Sequence, residues 1–417
     1  MIRLSASGQM GGIIKQSAQD FIVEEIVGAC KALDKDKVYS ESPVPLTSAD
    51  PKFSIFVMQK ENWNTVQALK AVARVLKRGQ KSTGFAGTKD RVAISTQMCS
   101  IFGVTPEQLL GVHVKDIRIN GAWSSDAGIK MGDLQGNRFT IVVRGATDTQ
   151  RIEEIHAELG GKFPNYFGPQ RFGSRGNNFD IGIALLKGDF KTAAMEFLTN
   201  STNETNIEAV AARKKLAEEQ DFEAAFRYFP MHLKYERMML EYLSKFSANF
   251  ASSIKRLPRA VSLMFIHSVE AQIFNMELEE MVKARDTAVA DGDLACALNA
   301  CGFPDISAVA HSESFIEEKE SLLPIGNIVG YETKNLNEFE LEALEKLGIT
   351  TDSFKVRGMN ELNSKGTYRP LFAPYTGFAS DTLDEGKAAS FSFSLPSGSY
   401  ATVLLNEFIS GTQAENL

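Results

Sequence analysis

The sequence predicts an α+β protein in which a largely helical segment interrupts a strand-rich domain. Three observations carry this. Strand-like runs fill the first third, helix formers dominate from about Ile181, and strand character returns only around Ala388 to Leu395. At 417 residues the chain is also too long for one ordinary core, so two or three domains are expected.

Taken in order, Gln19 to Val27 reads as a strand, Lys31 to Pro51 as a charged loop and Phe53 to Gln59 as a second strand. Thr65 to Leu76 follows as a helix, because Val66, Leu69, Ala73 and Leu76 share one face and Gly79 follows a basic last turn. From Val92 on, Val92, Ile94, Thr96 and Met98 alternate with Ala93, Ser95, Gln97 and Cys99, the period of a half-buried strand. Arg138 to Gly145 is a further strand, and a helix follows near Thr149 to Leu159. Beyond Ile181, helices are expected over Asp189 to Leu198, Ile207 to Gln220, Phe222 to Phe229, Tyr235 to Phe246 and Ala260 to Arg285, with Pro230 and Pro258 as punctuation.

Composition narrows the function classes. Hydrophobic content of 43% with 23% charged residues is ordinary for a globular protein, and no apolar run of about 18 residues or leader-like N-terminus occurs, so a cytoplasmic protein without a membrane partner is expected. The four cysteines include no CxxC and the five histidines are scattered, so neither a bound metal nor a disulfide in a reducing compartment is expected. The net charge of −7 argues against an indiscriminate nucleic-acid binder. Locally the balance differs: from Lys60 to Arg91 eight cations face two acids, a candidate phosphate footprint. From Glu313 to Glu345 nine glutamates face two lysines, which should turn that part away from RNA.

Two motifs carry chemistry. In FAGTKDRVAIS, Phe85 to Ser95, a single carboxylate, Asp90, lies between Lys89 and Arg91 at the entry to an apolar strand, with Gly84 and Gly87 allowing positive φ or close approach. In an extended segment Lys89 and Arg91 alternate away from Asp90, so they suit phosphate contact better than pairing with it. No GxxxxGK[ST] is present, which excludes a phosphate loop of that kind. In NYFGPQRFG, Asn165 to Gly173, Phe167 and Phe172 can stack on a base, Arg171 can meet phosphate or guanine, and Asn165 can anchor a loop or read a base edge.

Together these segments resemble the TruD family of tRNA pseudouridine synthases, marked by G-[TQ]-K-D and N-x-F-G-x-Q-R-F-G. GGIIKQSAQDFIVEEI (Gly11 to Ile26) is similar to the family's opening lysine and aspartate-phenylalanine strand, and FSFSLPSGSYATVLLNEF (Phe391 to Phe408) to its closing strand, turn and helix. Weaker matches are RLPRAVSLMFIHSVEAQIFN, LPIGNIVGYET and YRPLF. Two departures stand out. The family has Pro-Glu-Asp-Phe where this chain has Ala18-Gln19-Asp20-Phe21, and its Ala-Tyr-Gln-Ser-Tyr helix is here Ser268-Val269-Glu270-Ala271-Gln272.

The resemblance implies a pseudouridine synthase core, mainly an antiparallel sheet with flanking helices, formed by residues 1–180 and 372–417 and interrupted by a largely helical α/β insertion over 181–371, with RNA in the cleft between them. It implies isomerisation of a tRNA uridine, at position 13, without a cofactor or an obligate protein partner. Asp90 would be the catalytic carboxylate, acting as a nucleophile at the ribose or the base or as a base at the ribose 2′ carbon. Phe167 would stack on the target base and Asn165 would hold its loop against the Asp90 segment. Arg369 would pair with Asp90, and Lys15, Phe21 and Tyr400 would line the substrate site. Alternatives are another uridine or RNA, a non-catalytic RNA-binding or chaperone protein of the same fold, and a metal-dependent nuclease, which would need convergent ligands that the sequence does not offer.

Overall fold

Residues 1–315 and 321–410 are described by a computed structural model of the chain. It divides into two compact units, one of Arg3–Asn165, Ala288–Pro324 and Phe372–Leu417, the other of Met1–Ile2, Tyr166–Thr287 and Ile325–Leu371. Part of the acidic stretch, 316–320, lies outside the described residues.

The first unit is built on the expected mainly antiparallel sheet, nine-stranded among the described residues. Its main path runs Thr376–Leu383, Ala388–Pro396, Gly136–Arg144, Phe21–Val27, Ile94–Phe102, Phe53–Glu61, Ile117–Ser125. One pair on this path is parallel: Phe21–Val27 lies beside Ile94–Phe102 with Ile22 opposite Ile94. Both strands are central, and both faces are covered. The expectation of a half-buried strand is corrected here, since Ile94 to Ile101 is buried throughout and Ser95, Thr96 and Gln97 are as inaccessible as their apolar neighbours. Alternation of apolar and polar residues here marks an apolar face and a buried polar face.

The Thr65–Val75 helix is also turned from its expected setting. Thr65, Ala68, Leu69, Val72 and Ala73 are its buried residues, a stripe of i, i+3, i+4, i+7 and i+8, while Val66 is exposed. Asn64 caps it by accepting from Gln67 N at 2.8 Å. A second correction concerns cysteine. Cys30 and Cys301 form a disulfide, while Cys99 and Cys296 are free and buried. The two partners are 271 residues apart, so no local spacing could announce the pair.

The second unit is mostly helical: Asn178–Leu186, Phe190–Thr199, Ile207–Glu219, Phe222–Tyr228, Lys234–Leu243, Phe250–Ile254, Arg259–Ala284 and Glu338–Leu347. Leu185, Leu198, Leu216, Met239, Phe265 and Phe354 belong to one continuous core. Gly182 lets two helices touch, because a Cβ there would lie 2.2 Å from the Phe265 carbonyl oxygen. Among the described residues, no helix is long and apolar enough to cross a membrane.

Candidate active site

Asp90 stands on an irregular loop between the Thr83–Phe85 and Ile94–Phe102 strands. Gly84 is needed for close approach, since a Cβ would meet the Ile129 carbonyl oxygen at 2.3 Å, whereas a Cβ on Gly87 would make only ordinary contacts. Neither glycine has positive φ.

The Asp90 side chain is 45% exposed, and its Oδ2 receives the Lys15 ammonium at 2.9 Å. Lys15 itself is placed with some precision. Its backbone is left-handed, with φ +59°, and its Nζ lies 4.4 Å from the centroid of the Phe21 ring. Phe21, expected to touch substrate, is buried and forms the floor beneath this lysine. The turn between them is pinned by Asp20, whose carboxylate accepts from Ser17 N at 3.1 Å and pairs with Arg144 at 2.6 Å. The Arg144 guanidinium holds Asp20 below the usual carboxylate range. Gln19, where the family has glutamate, donates to Glu61 Oε1 at 2.7 Å.

The flanking cations part company. Arg91 is exposed, but Lys89 is buried and donates to the fully buried Glu25 at 2.7 Å. Lys89 is thus corrected from a phosphate contact to half of an internal ion pair. Lys60 is removed from the expected footprint in the same way, for it is fully buried and donates to the Asp90 main-chain carbonyl at 2.9 Å. Burial pushes the Lys60 ammonium down to about 8, with the Asp90 charge opposing. Lys70, Arg74, Lys77, Arg78, Lys81 and Arg91 keep their exposure.

Asn165 is buried and accepts from Ser399 Oγ at 3.0 Å, tying its segment to the turn before the closing helix. Tyr400 is half-buried and forms the N-cap position of that helix, Ala401–Phe408.

Phe167, Arg171 and Arg369 belong to the helical unit. Phe167 is 9% exposed, with the Arg369 guanidinium 4.1 Å and that of Arg171 5.2 Å from its ring centroid, and Phe274 edge-on at 5.6 Å. Sequence reasoning missed Asn275. Its Oδ1 accepts from Phe167 N at 2.9 Å and its Nδ2 donates to Phe167 O at 3.0 Å, so one amide satisfies both backbone groups of the aromatic. Nearby, burial pushes Glu270 up to about 7, with Ser364 and Arg171 opposing. An asparagine and a glutamate inside a mostly apolar helix were the available signals.

Among the described residues, no group of three or more histidine, cysteine, aspartate or glutamate side chains could hold a metal ion. The arrangement offers a single accessible carboxylate with a fixed cation on one oxygen, suited to attack on carbon or to proton abstraction.

Comparison with known proteins adds an independent line. The family model described as tRNA pseudouridine synthase D (TruD) matches residues 2–408. A curated relative from Methanococcoides burtonii, named "Probable tRNA pseudouridine synthase D", is 31% identical over 426 residues, covering 96% of this chain and 93% of the relative. One of the same name from Archaeoglobus fulgidus is 32% identical over 424 residues, covering 97% and 96%. A crystal structure described as a TruD candidate from Methanosarcina mazei superposes with a TM-score of 0.78 at 28% identity, covering 100% of this chain and 97% of that one.

Proposed function

Since this chain belongs to the tRNA pseudouridine synthase D (TruD) family, we propose that it isomerises a uridine of tRNA to pseudouridine, at position 13, with Asp90 as the reacting carboxylate. The observation that carries this reading is the accessible Asp90 carboxylate, held at 2.9 Å by Lys15 on a loop that matches the family's aspartate motif. The reaction breaks the C1′–N1 bond and makes a C1′–C5 bond on the same nucleotide, so it needs no redox equivalents and no cofactor.

In this reading Lys15 fixes the orientation of the carboxylate, and Phe21 fixes Lys15. Phe167 supports a planar base, with Arg171 and Arg369 as its cationic companions. Asn165 and Tyr400 shape the substrate site, and the exposed cations from Lys70 to Arg91 meet phosphates. Residues 181–371 are proposed to act as the insertion that selects the RNA.

Asp90→Asn tests the assignment, because the amide keeps the shape but is neither nucleophile nor effective base. Turnover of purified tRNA, read by pseudouridine mapping, should fall about a thousandfold or more while tRNA affinity stays within a few-fold. Turnover within tenfold of wild type would remove Asp90 from the chemistry, and pseudouridine at another position would overturn the site assignment.

A further inference from the structure

The loop that presents Asp90 has no strand or helix ladder from Ala86 to Ala93, so its backbone polar groups must be satisfied some other way. Four buried side chains from four different elements converge under it. Gln97, on the central Ile94–Phe102 strand, donates through Nε2 to the Gly87 carbonyl at 3.1 Å. Thr65, the first residue of the Thr65–Val75 helix, accepts from Lys89 N at 2.9 Å. Lys60, near the end of the Phe53–Glu61 strand, donates to the Asp90 carbonyl at 2.9 Å. Glu25, on the Phe21–Val27 strand, takes the Lys89 ammonium on Oε2 and Met98 N on Oε1 at 2.9 Å.

The Thr65 hydroxyl also donates to Gln97 Oε1 at 2.8 Å, closing a relay from the Gly87 carbonyl to Lys89 N. Thr65, Gln97, Lys60 and Glu25 are all fully buried, so none of the four side chains has contact with bulk solvent that could substitute for a lost partner. A buried charged network is seldom worth more to stability than apolar packing of the same volume. What such a network can supply is one defined loop geometry, since every anchor has a direction as well as a distance.

We infer that Glu25, Lys60, Thr65 and Gln97 form a cradle that sets the position of the Asp90 carboxylate, with Thr65 the positioning residue at its centre. This inference rests on the reading of Asp90 as the reacting group. None of the four touches the carboxylate itself; Lys60, Thr65 and Gln97 act on the main chain that carries it, and Glu25 acts on it through the Lys89 side chain. A displacement of about an ångström at a reacting group costs on the order of a hundredfold in rate, which is the lever such a cradle holds.

The test compares Thr65→Val, which is isosteric but lacks the hydroxyl, with Thr65→Ser, which keeps it, alongside Asp90→Asn. Single-turnover rate at saturating tRNA should fall at least tenfold in Thr65→Val and return to within about threefold in Thr65→Ser, with the tRNA dissociation constant unchanged within twofold in both. A full rate in Thr65→Val, or equal losses in both variants, would overturn the cradle while an inactive Asp90→Asn left the parent reading standing. An active Asp90→Asn would instead remove the parent reading. Should Thr65→Val fail to fold, Lys60→Met, which opens only the Asp90 carbonyl anchor, carries the same expected loss of rate at unchanged affinity. Failure of both to fold would assign the network to stability and overturn the proposal.

Discussion

The Asp90 loop and the Phe167 segment solve the same problem with different chemistry. Each is an irregular stretch whose backbone must be fixed from outside. Under Asp90 the fixing groups are charged or relayed, with the buried Lys60 and the buried Glu25 among them. Around Phe167 a single neutral amide from Asn275 satisfies both backbone groups, and the side chain is held by ring and guanidinium contacts. A directional mount suits a carboxylate whose angle matters. A planar group needs only its plane held, and one clamp with soft contacts suffices.

The largest expected effect comes from breaking the neutral clamp. Asn275→Leu keeps the branched shape of the side chain but leaves the Phe167 N–H and carbonyl without their partner, at roughly 1–3 kcal/mol for each buried group left unpaired. Urea denaturation should report a loss of that order, independent of pH across the neutral range because nothing in the clamp titrates. A loss under about 1 kcal/mol would mean that other groups hold this segment, and the contrast between the two mounts would fail.

The charged mount should respond to pH instead. Lys60 has its folded-state pKa depressed to about 8 by burial, so between about 8 and its ordinary value of 10.5 the unfolded chain binds more protons than the folded one. Stability contributed at this site therefore rises with pH through that window. The cost of burying the cation is fully present below about 8. Lys60→Met removes the titration, so its stability relative to wild type should be most favourable near pH 7 and should decline by up to about 3 kcal/mol by pH 10.5. Denaturation of both proteins at pH 7 and pH 10 measures the change. A constant difference would show that Lys60 does not titrate as a buried cation.

The contrast also explains what was legible in the sequence. The α+β class could be read because patterning is a local signal, repeated along each element, whereas the mainly antiparallel sheet came only with the family resemblance, since strand pairing is a long-range event. Asp90 and Lys15 sit within short motifs, and the structure joins them at 2.9 Å. Their supports were not legible for physical reasons. Glu25 follows Glu24 in a strand and looks like part of a solvated face, yet burial against Lys89 is a long-range event. Lys60 and Lys89 read as surface charge in the sequence because a charge tally has no depth, yet both are buried. Ser95 and Gln97 read as the solvent side of a strand that proves to have none. The Cys30–Cys301 pair was excluded from an expected compartment, an argument that carries no geometry. The Glu338–Leu347 helix lay inside a run weighed only for its charge, although Glu340 is buried there and accepts from Asn327 N at 3.0 Å.

The smallest expected effect separates the two things Phe167 does. Its ring is nearly covered, with Arg369 and Arg171 over it and Phe274 against its edge, so packing alone could account for an aromatic at this position. Truncation to alanine would confound packing with stacking, because a cavity would follow. Phe167→Leu keeps an apolar side chain of similar size, for which a stability cost under about 1.5 kcal/mol is expected, but it removes the π face. If the ring supports a base, turnover should fall by the equivalent of about 1–3 kcal/mol, the cost of losing one base–aromatic stack. Phe167→Tyr keeps the face and should retain most of the rate. Rate and stability are then read on the same three proteins. Equal turnover in all three would make Phe167 a packing residue, and the soft mount around it would have no part in catalysis.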